Sequence, residues 1–109
     1  MDWIEAKDRT LEQWKSILTA IGDRDPDELV QWSEADYGLC EKARDVAHET
    51  GQTSGSVCLL CLAYQQRGGC FETRDRFAIA LLAGNLGRAR EIVTAHIADL
   101  ECLELPAEA

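Results

Sequence analysis

The chain has 109 residues, of which 20 are Asp or Glu and 11 are Lys or Arg, so it carries a formal charge of -9 with 46% hydrophobic content. That length suits one domain with a modest core, the composition excludes a disordered chain, and the acidic excess excludes nucleic-acid backbones and anionic membranes as natural partners. The longest apolar run, Val57 to Tyr64, is too short for a bilayer, and Met1 to Glu5 shows neither a basic stretch nor an apolar signal core, so a cytoplasmic location is expected.

From Trp3 to Ile21 the residues Trp3, Ile4, Leu11, Trp14, Ile17, Leu18 and Ile21 recur at three- and four-residue steps, predicting a first helix that Gly22 closes. Asp25-Pro26-Asp27-Glu28 reads as a second start, with Asp25 as cap, Pro26 at the first helical position and Glu28 completing a capping box. Ser33-Glu34-Ala35-Asp36 can begin another segment, so residues 26–50 form either one bent helix or two. Leu39, Cys40, Ala43, Val46 and Ala47 give it a narrow apolar stripe ending at Gly51.

Gln52-Thr53-Ser54-Gly55-Ser56 reads as a loop. The run Val57 to Tyr64 has no strand to pair with and is expected to be a buried helix, broken at Arg67-Gly68-Gly69. Thr73 is the expected cap of the next helix, which carries Phe77, Ala80 and Leu81 as far as Ala83, and Gly84-Asn85 makes a tight turn. Leu86, Ala89, Ile92, Val93, His96, Ile97, Leu100 and Leu103 mark the last helix, before Pro106 and a short acidic tail over 104–109. The expected fold is therefore all-α, a single-domain bundle of four or five antiparallel helices spanning 1–109. The hairpin around Gly84 has no second copy at a repeat period, which argues against an array.

Five cysteines carry the only hint of chemistry. Cys58 and Cys61 have the two-residue gap that lets neighbouring thiolates share one metal, Cys70 follows a Gly-Gly turn that can fold its sulfur back, and Cys40 can supply a fourth ligand. Zinc takes four such ligands at about 2.3 Å, and an iron-sulfur cluster also takes four thiolates, so the residue set suits either. Cysteine in an apolar run is also an ordinary buried small residue, which would account for Cys102 too and leave no cofactor. A third reading is a redox dithiol of Cys58 and Cys61, activated if Ser56 caps the helix, although no preceding strand supports a thioredoxin-like unit.

His48 falls two turns beyond Cys40 and His96 lies on the last apolar stripe; either can join a site, and neither stands near a partner for nucleophilic catalysis. The glycines match no phosphate loop, and Asp23, Asp25, Asp27 and Glu28 lack the spacing of a calcium loop. Trp32 falls off the Leu29-Val30 stripe, where an exposed tryptophan would mark a contact surface.

From Leu39-Cys40 through Cys58-Leu59-Leu60-Cys61 and Cys70-Phe71-Glu72-Thr73 to Leu103, the chain resembles a loose group of uncharacterised small prokaryotic cysteine-rich helical proteins. Those combine early cysteines, a Cys-x2-Cys, a later Cys-x-x-Thr and a helical hairpin, and the resemblance implies no activity. The expected function is that of a non-enzymatic accessory protein that binds another protein through a basic or apolar surface and holds a structural metal through Cys40, Cys58, Cys61 and Cys70. The alternatives are a thiol redox factor using Cys58 and Cys61, and a metal-free acidic antagonist or immunity-type protein whose carboxylates meet a basic partner.

Overall fold

Asp2 opens α1 (Trp3–Ala20) by accepting the Glu5 amide at 2.7 Å, which satisfies one of the amides a helix start leaves bare. In the computed structural model, which describes residues 1–51, 57–68 and 70–106, the helices that follow are α2 (Pro26–Glu34), α3 (Gly38–Thr50), α4 (Leu62–Arg67), α5 (Phe71–Leu82) and α6 (Leu86–Glu101). A 3-10 turn, Val57–Leu60, precedes α4. The described residues contain no strand, and five of the helices are nine residues or longer, so the all-α bundle expected from periodicity is what forms. The expected loop over 52–56, Ser56 as a cap, Gly69 and the tail beyond Pro106 lie outside the described residues.

The core is centred on Trp14, which is wholly buried. Its ring stacks on Tyr37 (centroids 5.2 Å, planes 7° apart) and meets Phe77 of α5 and His96 of α6 edge-on at 6.0 and 4.9 Å. α6 contributes Ala89, Ile92, Val93, His96, Ile97 and Leu100, the expected stripe, and α5 contributes Phe77, Ala80 and Leu81. Asn85 caps α6 by accepting the Arg88 amide at 3.1 Å, and Gly84 supplies the left-handed residue (φ +75°) that the tight turn needs.

Several boundaries differ from the sequence expectation, each for a tertiary reason. The buried line of α1 runs through Ala6, Thr10, Trp14 and Ile17, while Ile4 is exposed, because the start of α3 lies directly against Ala6 and Thr10. Of the two arrangements left open for residues 26–50, the two-helix one forms, and Ser33 lies in the last turn of α2 instead of starting α3. The first amides of α3 are taken by α1: Gly38 N–H donates to Gln13 Oε1 at 3.0 Å and Leu39 N–H to Thr10 Oγ1 at 2.9 Å. Asp25 caps α2 through the Asp27 amide as expected, but Glu28 turns to Arg24 (3.3 Å) instead of closing a capping box. The run 57–64 is not a buried helix: it divides into the 3-10 turn and α4, and leaves Leu59 and Tyr64 exposed. Cys70, not Thr73, precedes α5, which places Thr73 inside the first turn.

Candidate metal centre

Three local structures bring the sulfurs of the loop region inward. Cys61 N–H donates to the Cys58 carbonyl at 3.1 Å, closing a 3-10 turn. Side chains three apart eclipse in that geometry, so Cys58 and Cys61 fall on one side. Cys61 then stands at the amino end of α4 and Cys70 at that of α5. Gln65 holds α4 to the turn by donating to the Leu59 carbonyl at 2.9 Å. Gln66 holds it to the chain end through a pair of bonds with the Glu104 backbone, 2.7 and 2.8 Å.

Cys40, in the first turn of α3, meets these three across one small apolar cavity of about 30 Å³, whose wall is Cys40, Cys58, Cys61 and Cys70 with Ala43 and Ala63 among the rest. All four residues singled out from sequence therefore line the same space, which has room for one ion or one water. Among the described residues, no group of three or more His, Cys, Asp or Glu side chains stands in an arrangement that could hold a metal ion as it is. The sulfurs share a cavity without having closed on a common centre.

Burial pushes the Cys40 thiol up; the Tyr37 backbone offsets part of this, and Cys70 and Cys61 push it further. Burial also raises Cys61, against the pull of the Tyr64 and Ala63 amides, with Cys70 and Cys58 adding to the rise. Neighbouring sulfurs oppose one another's ionisation, as like charges must. Arg74 is the cation at the cluster, its Nη2 donating to Cys70 Sγ at 3.2 Å while the guanidinium lies over Phe71 at 4.7 Å and Tyr37 at 6.0 Å. Nothing in the sequence pattern marked Arg74, whose role depends on the one helical turn that separates it from Cys70.

The other expected candidates fall elsewhere. His48 is exposed near the end of α3, and Cys102 is exposed beyond α6 rather than buried. His96 is buried behind the cysteines. Trp32 is half-buried, with Arg24 over its ring at 5.4 Å, beside an open groove of about 670 Å³ that also contains Glu12, Lys15 and Asp23. That groove mixes both charge signs and gathers no group suited to chemistry. Among the described residues no helix is long and apolar enough to cross a membrane. Comparison with protein-family models, with curated proteins and with solved structures finds no match to this chain.

Proposed function

We propose that this chain is a non-enzymatic helical accessory protein that holds one structural metal ion through Cys40, Cys58, Cys61 and Cys70 and acts by binding another protein. The observation that supports the metal is the meeting of these four cysteines, drawn from α3, the 3-10 turn and the starts of α4 and α5, at one cavity. Uncharged thiols gain little by converging, and a divalent ion supplies the attraction that draws them in as it displaces their protons. A space of about 30 Å³ suits a single zinc ion better than the larger iron-sulfur cubane. Raised thiol pKa values at Cys40 and Cys61 weigh against the redox reading, because a protonated thiol is a poor nucleophile.

The outer side of α5 supports a protein partner. Phe71, Ile79 and Leu82 are 59%, 70% and 61% exposed. On a helix they fall within an arc of about 80°. These apolar side chains, with the exposed Asp75 between Phe71 and Ile79 on the same arc, favour a partner that offers an apolar face over a purely charged one.

The deciding experiment is elemental analysis of untagged protein, with an anaerobic absorbance spectrum. Near-stoichiometric zinc that is lost in the Cys58→Ser/Cys61→Ser variant, with helicity retained by circular dichroism, supports the reading. Protein that carries no metal and takes up none from added zinc defeats it.

A further inference from the structure

Behind the sulfur-lined cavity lies a second one of about 20 Å³. Cys40, Cys61 and Cys70 line this one as well, and Trp14, Thr10 and His96 complete its inner wall. Cys58 borders only the outer cavity.

Two polar groups of the inner chamber lack partners among the described residues. His96 is 8% exposed and its Nε2 is buried without a hydrogen bond, and the Nε1 of the wholly buried Trp14 is in the same position. Leaving such groups unpaired costs as much as a lost hydrogen bond or more, so two in one chamber call for an occupant. His96 Nδ1 lies 3.4 Å from Thr73 Oγ1, which turns the Nε2 edge of the ring away from Thr73. Metal-binding histidines are held in that way, with one nitrogen donating to an oxygen and the other presenting its lone pair. An ion bound there would take the imidazole lone pair, and a thiolate beside it would be an acceptor for an indole N–H.

Resting on the metal reading above, we infer that His96 is a further ligand of this site: Cys40, Cys61, Cys70 and His96, which share the chamber without yet standing around one centre, close as an inner donor set on a divalent ion of the zinc class. The inner set shares three sulfurs with the outer one and exchanges Cys58 Sγ for His96 Nε2. Binding there would displace the thiol protons and engage the imidazole through Nε2. The ion thus has two adjoining seats, and loss or oxidation of Cys58 leaves it held.

Cobalt(II) added anaerobically to the full chain tests this, since thiolate-to-metal charge-transfer intensity counts sulfurs and the visible bands shift when nitrogen replaces one. The Cys58→Ser variant is expected to bind one cobalt with a three-sulfur, one-nitrogen spectrum, and cadmium NMR of the same variant is expected to report the same donor set without any change at His96. Adding His96→Gln to Cys58→Ser should weaken binding by at least about ten-fold, with circular dichroism showing the helices intact. A wild-type chain that binds cobalt while Cys58→Ser binds none overturns the inner set. So does a Cys58→Ser chain whose spectrum and affinity ignore His96→Gln, which would leave the chamber to a bridging water. A wild-type chain that binds no metal defeats the underlying metal reading, and the inner set with it.

Discussion

Gly38 offers a test of how α1 and α3 are joined. In an open helix, replacing glycine by alanine stabilises a protein by about 0.5–1 kcal/mol, because the glycine has more freedom to lose. At Gly38 a Cβ would stand 2.6 Å from the Ala6 carbonyl oxygen and 2.9 Å from Arg9 Cβ. The carbonyl belongs to the α1 backbone and cannot turn aside, so the two helices must separate. Overpacking of this sort costs about 1–3 kcal/mol, and separation also stretches the bond from Leu39 N–H to Thr10 Oγ1. The steric loss exceeds the propensity gain, and Gly38→Ala should lose about 2 kcal/mol net. Gly87 in α6 is the control: the nearest atom to its Cβ is Asn85 Oδ1 at 3.9 Å, an ordinary contact, so Gly87→Ala should be neutral or stabilising. Urea unfolding followed by far-ultraviolet circular dichroism reads both. With a slope of about 2 kcal/mol per molar, Gly38→Ala lowers the midpoint by about 1 M at unchanged slope. If both variants move the midpoint upward, the close approach of α3 to α1 is refuted.

Thr10→Val keeps the shape of a buried side chain but leaves the Leu39 amide unpaired, and should cost about 1–3 kcal/mol; an unchanged thermal midpoint would refute the bridge between the helices. In metal-free protein, burial lowers the His96 pKa, with Asp99 of its own helix opposing the shift and Arg74 of α5 adding to it, while Cys40, Cys61 and Cys70 share its cavity. The unfolded chain then binds the proton first, so stability present above pH 6.5 should be lost progressively as pH falls through that value toward the lowered folded one. Urea midpoints at about pH 7.5 and about pH 5.5 should differ more in the wild type than in His96→Gln, and an equal difference in the two proteins would refute the assignment. Chelating the proposed metal should speed amide hydrogen exchange most across residues 57–68, and a uniform loss of protection over the whole bundle would contradict a local effect of the ion.

Where the sequence could be read and where it could not follows from the range of the interactions involved. α6 was legible because its buried residues recur at helical steps and its cap, Asn85, is three residues from the amide it serves. The start of α3 was not, since its amides are capped by Thr10 and Gln13, more than twenty residues upstream. The run 57–64 reads from its composition as a buried helix because an apolar run without periodicity carries no information about which of its members face out; Leu59 and Tyr64 do. The four cysteines were chosen by spacing and do share a cavity, yet the spacing did not disclose Arg74 against Cys70 or the open Nε2 of His96 behind them. Those depend on which faces of α5 and α6 turn toward α3, a tertiary fact.

The contact between core and site bears on what a metal would do here. Small metal domains often have too little apolar surface to fold without the ion. In this chain the packing around Trp14 joins α1, α5 and α6 through Tyr37, Phe77 and His96, while the segment 57–67 adds Cys61 and Ala63 to the core and lays the 3-10 turn against α3. The proposed ion would therefore add a tie between that segment, held otherwise by its packing on α3 and by the bonds of Gln66 to Glu104, and the rest of the bundle. Four thiolates around a dication leave an excess of negative charge in a protein already at -9, and Arg74, fixed between Phe71 and Tyr37 with its guanidinium on Cys70, is the group placed to offset it. Burial of that guanidinium acts against its charge, but the Cys70 contact and the nearby Tyr37 and Cys40 outweigh this and hold it cationic. Arg74 thus positions Cys70 in the structure and would serve as the counter-charge of the proposed ion, which ties the starts of α3 and α5 into one electrostatic unit.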